Sequence, residues 1–317
     1  MSLGKLSKTA IQLWKIDGET FAGRPDVVAT EEPLEIRLRW HDAAAGGGSR
    51  PSRPSRPSRT SRTVAVTMRT PGADAELAAG FLFAEGVIKR REQIAKLTQI
   101  EEAAVGIVGA SGASGASGAV DGETPTGNVL EAELSDDVPE PELATLERHF
   151  FATSACGVCG KAGLETLQLR VSGELPPGPL VAPSLLSSLP AKLRAAQGLF
   201  DLTGGLHAAA LFDRHGELLA VREDVGRHNA LDKLVGAMVG ARVDPRDGFA
   251  CITSRASVEM VRKAVAAGIT ALVAVSAPTA RAVHTARAAG LALAGFARRD
   301  ELVLYADADR FHDPAED

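Results

Sequence analysis

The sequence predicts an α/β protein, with a three-layer α/β/α domain over residues 151–317 and a smaller α+β domain over residues 1–150. Two observations carry this. From about residue 184 onward, strand-length apolar runs alternate with helical segments, a rhythm that calls for crossover connections and a sheet covered on both faces. In the first half, short strand-like pieces surround a single strongly helical one. With 317 residues, 45% of them hydrophobic, the chain can bury one large core or two modest ones.

Taken in order, EEPLEIRLRW (31–40) and TVAVTMRT (63–70) alternate apolar and polar residues as strands do. Between them, residues 43–62 repeat Ser-Arg-Pro and lack the apolar residues to offset the entropy of ordering, with only alanines at 43–45, so they read as an enlarged hairpin loop rather than a basic arm. ADAELAAGFLFAEGVI (73–88) has helical apolar spacing, and KLTQI, AVGIV and NVLEAEL read as strands. The Gly-Ala-Ser repeat at 109–118 reads as a second inserted loop. PSLLSSLPAKLRAAQGLF (183–200) reads as one helix, followed by strands LHAAALFD and ELLAVRED joined at His215-Gly216. Then come helix GRHNALDKLVGAMVG, strand FACITS, helix SVEMVRKAVAAG, strand ITALVAVSA, helix TARAVHTARAAG and closing strands LALAGF and ELVLYA.

A net charge of -5 and a pI of about 5.9 provide no overall basic field, so no nucleic-acid partner is expected and any bound anion must be held locally. The most hydrophobic stretch, GITALVAVSAP, is strand-length, far short of the roughly 18 apolar residues of a membrane span. Three cysteines are too few for a disulfide-stapled scaffold, and the first twenty residues lack an apolar signal core. A cytoplasmic protein without a membrane partner is the expectation.

In sheets of this kind, ligands bind where loops leave the carboxyl ends of strands, here Arg222 to Arg227, Ser254 to Ser257 and Ser276 to Thr279. The stretch LTGGLHAAALFDRHGELLAVREDVGRHNALDKLVG sets Gly204 and Gly205 before a strand, as for close backbone approach. It then delivers Arg222, Glu223, Asp224, Arg227 and His228 into a helix N-terminus, where backbone amides suit a phosphate. The plainer reading makes Asp224 a helix cap and the other charges a solvated rim.

TSACGVCGKAGLE (153–165) holds Cys156 and Cys159 as Cys-x-x-Cys. A structural zinc ion needs about four ligands, and only His207 and His228 remain to complete such a set. Dithiol exchange and two merely tolerated cysteines also stay open. The leading reading is a nucleophile, because Gly157 and Gly160 strip cover from both sulfurs at a cost in backbone entropy. Lys161, Arg148 and His149 are the local cations that could stabilise a thiolate. Cys251, inside the apolar strand FACITS, reads as a small buried hydrophobe.

Through VAVTMRTPG, ELAAGFLFAEG, TSACGVCGKAGLE, TGGLHAAAL, REDVGRHNALDKLVG, SVEMVRKA and VSAPTARAV, the chain resembles the FdhD/NarQ family, accessory sulfurtransferases of formate dehydrogenase, from about residue 30 to 306. The resemblance implies a cytidine-deaminase-like core, a homodimer, and partners in a cysteine desulfurase and the formate dehydrogenase catalytic subunit. It implies transfer of sulfur to the molybdenum bis(molybdopterin guanine dinucleotide) cofactor, bound as cargo and mimicked by GDP, with no metal of the protein's own. Cys156 would carry the persulfide and Cys159 would assist. Phe296, Ala297, Arg298, Arg299, Asp300 and Glu301 match the family's cofactor-binding stretch, with Arg227, His228, Arg255 and Ser276 at neighbouring strand ends. The chain departs from the family in its two low-complexity insertions, and at Arg299 and Glu301, where relatives more often have glycine and a basic residue. Deaminase chemistry does not follow, because the His-x-Glu and Pro-Cys-x-x-Cys zinc signature is absent. The competing function is a cofactor-binding chaperone without covalent sulfur transfer.

Overall fold

A computed structural model describes residues 7–17, 20–41, 59–100, 127–138, 141, 175–176, 178, 181–299 and 301–306. The N-terminal half is built on a four-stranded sheet ordered β4-β3-β6-β5, from β3 (Glu32–His41), β4 (Arg59–Arg69), β5 (Ile94–Ile100) and β6 (Val129–Leu134). Strands β3 and β4 are antiparallel, as the alternation on both sides of the Ser-Arg-Pro repeat predicts. Strand β4 nevertheless begins at Arg59, inside the segment read as loop: Thr60, Ser61 and Arg62 pair with Trp40, Arg39 and Leu38. Register with an already formed strand recruits these polar residues, which have no strand signal of their own. Residues 43–58 and 109–118 lie outside the described residues.

One face of this sheet is apolar. Leu34, Ile36, Leu38, Trp40 and Val64 are buried against Leu77, Ala78 and Leu82 of helix α1 (Asp74–Ala84). The other face is a charged ladder in which Arg37 and Thr63 both bond Glu35, while Arg39 and Ser61 reach Glu131 on the next strand. An antiparallel ribbon of β1 (Lys8–Asp17) and β2 (Thr20–Ala29) precedes the sheet. Its sequence carries no clean alternation, and its Ile11 and Val28 are exposed, so the pattern that reveals a half-buried strand is absent.

The second half is a six-stranded sheet ordered β12-β11-β10-β9-β7-β8, from β7 (His207–Asp213), β8 (Leu218–Asp224), β9 (Gly248–Ile252), β10 (Ala271–Ala274), β11 (Ala292–Arg298) and β12 (Glu301–Ala306). β9, β10 and β11 run parallel, and antiparallel strands flank them. Helix α2 (Pro183–Ala195) covers one face through Leu186, Leu189 and Leu193. Helices α4 (Arg227–Ala241), α5 (Val258–Ala266) and α6 (Ala280–Ala289) cover the other. The stretch read as one helix over 183–200 breaks at Ala196–Gln197 and restarts as α3 (Gly198–Thr203). Glu223 causes the restart by accepting hydrogen bonds from the amides of Leu199 and Phe200 at 3.0 and 2.8 Å, which caps the new first turn.

The two sheets meet through α1 and α4, which cross so closely that a Cβ at Gly80 would lie 1.8 Å from the Asp232 carbonyl oxygen, and one at Gly236 1.9 Å from that of Glu76. Among the described residues, no helix is long and apolar enough to cross a membrane.

Candidate functional site

Strand direction assembles one polar edge. The carboxyl ends of β8, β9, β10 and β11 and the amino ends of β7 and β12 lie on the same side of the sheet, as the pairings His207 with Asp224 and Arg298 with Glu301 require. The three predicted loops therefore fall side by side. Ser257 and Thr279 cap α5 and α6 by accepting from the amides of Met260 and Ala282. A backbone bridge between Ala256 and Pro278, with the Thr279 amide 3.0 Å from the Ala256 carbonyl, ties the second loop to the third. The Phe296 amide donates to the carbonyl of Ser276, which brings the 296–301 stretch beside them. This approach requires glycine at 295, where a Cβ would stand 2.8 Å from Pro278 Cδ.

Arg227 and His228 open α4 at this edge, and Arg255, Ser276, Phe296, Arg298, Arg299 and Glu301 stand along it; Ala297 points into the core, and Asp300 lies outside the described residues. Arg255, Arg298 and Arg299 are exposed and form no ion pair among the described residues. Exposed cations beside three helix N-termini favour an anion. Phe296 and Arg299 take positive φ of 53° and 47°, left-handed backbone that glycine adopts without steric cost.

The structure withdraws other predicted residues from the edge. Arg222 forms a paired contact with Glu76 of α1, its Nη2 2.6 Å from Oε1. Glu223 caps α3. Asp224 is fully buried with Lys233 Nζ 2.6 Å away, and it also accepts from the amides of Thr70 and Gly226 at 3.1 and 2.8 Å. Lys233 donates to the Thr70 carbonyl, and Asn229 donates to that of Met68. These motif residues fasten β4 to α4 rather than meet a phosphate. A Cβ at Gly204 would meet nothing within 4 Å; the residue ends α3 in left-handed backbone, φ 69°, and does not serve close approach.

Three residues at the edge carry weaker sequence signals. Glu259 Oε2 lies 2.9 Å from His228 Nε2, and that imidazole holds the carboxyl below its usual range against the opposing effect of burial. His207 stands at the first position of β7 with Nδ1 3.4 Å from Thr253 Oγ1. Burial above all, then Arg227 and His228, lower its pKa, and Asp224 opposes them only in part. Glu259 lies 31 positions beyond His228 on the next helix, so no local spacing signalled that pair, and only the sheet register juxtaposes His207 and Thr253.

Cys156 and Cys159 lie outside the described residues, as do Lys161, Arg148 and His149. Cys251 is free and fully buried, and burial pushes its thiol far above the ordinary value, in keeping with a packing role. Among the described residues no group of three His, Cys, Asp or Glu side chains could hold a metal ion. A cavity of about 490 Å³ opens elsewhere, toward the opposite end of β7 and β8, lined by Glu76, Leu211, Leu219, Arg222 and Met238 among others.

Comparison with known proteins supplies an independent line. The model of the FdhD/NarQ family matches residues 58–312. A Streptomyces coelicolor protein named sulfur carrier protein FdhD is 43% identical over 290 residues, covering 90% of this chain and 89% of its own. One of the same name from Mycobacterium tuberculosis is 42% identical over 294 residues, covering 90% and 92%. A solved chain from Desulfotalea psychrophila, described as a candidate formate dehydrogenase accessory protein, superposes with a TM-score of 0.64 at 19% identity, over 96% of this chain and 99% of that one, a likeness of fold.

Proposed function

The chain belongs to the FdhD/NarQ family of sulfur carriers and formate dehydrogenase accessory proteins, and from that premise we propose that it carries persulfide sulfur from a cysteine desulfurase to a molybdenum bis(molybdopterin guanine dinucleotide) cofactor destined for the formate dehydrogenase catalytic subunit. The observation that carries the reading is the polar edge, where Arg255, Arg298 and Arg299, exposed and without an ion pair among the described residues, stand beside three helix N-termini at the end of the sheet. A guanine dinucleotide presents pyrophosphate to a protein of net charge -5, so affinity must come from local amides and placed arginines. Arg227, Arg255 and Arg298 take the phosphates, the 296–301 stretch takes the nucleotide, and Ser276 lines the approach. Two subunits of a cytidine-deaminase-like fold enclose the cargo.

Covalent transfer proceeds by two displacements at sulfur. The Cys156 thiolate attacks the outer sulfur of the desulfurase persulfide and the desulfurase cysteine leaves as thiolate; an electron pair of the cofactor then attacks the outer sulfur on Cys156, the S–S bond breaks and Cys156 leaves as thiolate. Cys159 assists by trapping or releasing the intermediate. Incubation with desulfurase and cysteine should add the mass of one sulfur atom to the chain, and Cys156→Ala should abolish both that increment and formate dehydrogenase maturation. A wild-type chain that matures the enzyme without ever gaining sulfur would establish the chaperone function instead.

A further inference from the structure

We propose that the cavity at the far end of β7 and β8 binds a small amphipathic monoanion, an apolar body carrying one carboxylate. The inference does not rest on the sulfur-carrier reading, since the cavity lies at the end of the sheet away from the polar edge.

Size and lining set the ligand class. The volume of about 490 Å³ falls within the roughly 300–1,000 Å³ of small-molecule sites. Leu97 of β5, Leu211 of β7, Leu219 of β8, Met238 of α4 and Val243 just beyond it supply apolar wall. The charged lining consists of Glu76, Arg91 and Arg222. Glu76 and Arg222 neutralise each other, with Arg222 Nη2 2.6 Å from Oε1. Arg91 donates from Nη1 to the Ile94 carbonyl at 2.8 Å and forms no ion pair among the described residues, so its Nε and Nη2 hydrogens have no acceptor there. One positive charge is left over in an otherwise apolar lining. Its fork of N–H groups suits a carboxylate, and a second negative charge on the ligand would find no partner.

Two local features keep the space open and its wall apolar. Leu211 pairs with Ala220 and Phe212 with Leu218, which leaves Leu219 as an extra residue without a partner on β7. In an unbroken ladder Leu219 would share the face of Phe212, under α2; the bulge releases it from that alternation, and it lines the cavity beside Leu211 instead. There it stays half exposed, an apolar surface that leaves water only when something enters. Gly240 is the second feature. It gives up helix propensity in α4, yet a Cβ there would meet nothing within 4 Å, so no contact within the chain requires glycine as the α1 crossing requires Gly236. Gly240 lines the cavity, and its missing side chain leaves the mouth clear. Ala79 of α1 and Ala237 of α4 line the same space, so an occupant touches both halves of the molecule and stabilises the folded chain by mass action.

The test is calorimetric titration of the full chain with octanoate, beside octanol and octylammonium, which carry the same body without the charge or with the opposite one. Octanoate should bind one per chain, at least about ten-fold more tightly than the other two, stay bound under saturating GDP and raise the melting temperature. Arg91→Gln should weaken octanoate about ten-fold and leave octanol unchanged, because the charge-assisted contact is what separates the two probes. Gly240→Leu, which sets a side chain in the mouth, should weaken octanoate and octanol alike by about ten-fold or more. The two substitutions lie on different elements, so loss of the fold in one leaves the other decisive. Absence of octanoate binding, equal affinity for the three probes, displacement of octanoate by GDP, or unchanged octanoate affinity in either folded variant overturns the proposal.

Discussion

Asp224 and Lys233 show a single pair of residues deciding how two layers meet. Both are buried, and each is satisfied by the other and by the backbone around Thr70, so neither charge is left bare. Removing one partner strands the other in low dielectric, a loss of about 3–5 kcal/mol. Lys233→Met should therefore lower the unfolding free energy by roughly that amount in chemical denaturation, whereas Arg246→Met, which breaks the exposed contact with Asp244, should leave it nearly unchanged. Two other groups give the stability a pH dependence of definite sign. Burial depresses the pKa of His207 from 6.5, so on acidification the unfolded chain takes up a proton before the folded one and stability falls below about pH 6.5. The pKa of Glu259, depressed from 4.5 by His228, contributes stability that is present above pH 4.5 and is lost as pH falls through its folded value. Thermal melts across this range should show His207→Asn flattening the upper part of the decline and Glu259→Gln the lower part.

At the scale of the element, the contact of α1 with α4 turns on two glycines. In sequence, Gly80 and Gly236 are weak points in otherwise good helices; in the structure they are the places where one backbone lies against the other. A methyl group at Gly236 would meet the Glu76 carbonyl at 1.9 Å, and because backbone cannot step aside, the helices must separate. Gly236→Ala should cost at least about 1–3 kcal/mol. Gly240→Ala in the same helix is the matched control, with nothing within 4 Å, and it should be neutral or stabilising by up to about 1 kcal/mol. Opposite signs for two identical substitutions four residues apart, read by urea titration, would demonstrate packing rather than propensity.

For the whole molecule, the long connection between β3 and β4 and the polar edge make separable contributions. Deleting residues 45–57 spares every paired residue of β4, and since loop-closure entropy changes by about 0.6 kcal/mol per doubling of length, folding and sulfur transfer should survive intact. A large fall in melting temperature would show that the repeat packs. Carrying the deletion to residue 60 should do more harm, because Arg59 and Thr60 pair with His41 and Trp40. At the edge, a charge-assisted contact contributes roughly 1.5–3 kcal/mol, so Arg255→Ala should weaken GDP binding about ten-fold or more. Calorimetry that finds GDP and ADP equal, or no loss in Arg255→Ala, would move the nucleotide away from these strand ends.

What the sequence determined by itself is whatever depends on neighbours along the chain. The alternation of FACITS, SVEMVRKAVAAG and ITALVAVSA specified strands and helices because burial follows period, and the loops after those strands had to meet at one edge once the strands were parallel. Cys251 was legible as core for the same reason. The division of labour within REDVGRHNALDK was not legible. Arg222, Asp224 and Arg227 are equally charged and equally near a helix start, and only the arrival of Glu76 and Thr70 from residues about 150 positions away consumes the first two and leaves the third at the edge. The same holds for His207 and Thr253, 46 positions apart and joined by strand register alone. Local pattern fixes which face a residue presents. What that face meets is a matter of long-range packing, and there the tertiary structure separates the residues that hold the sheets together from those left free to act.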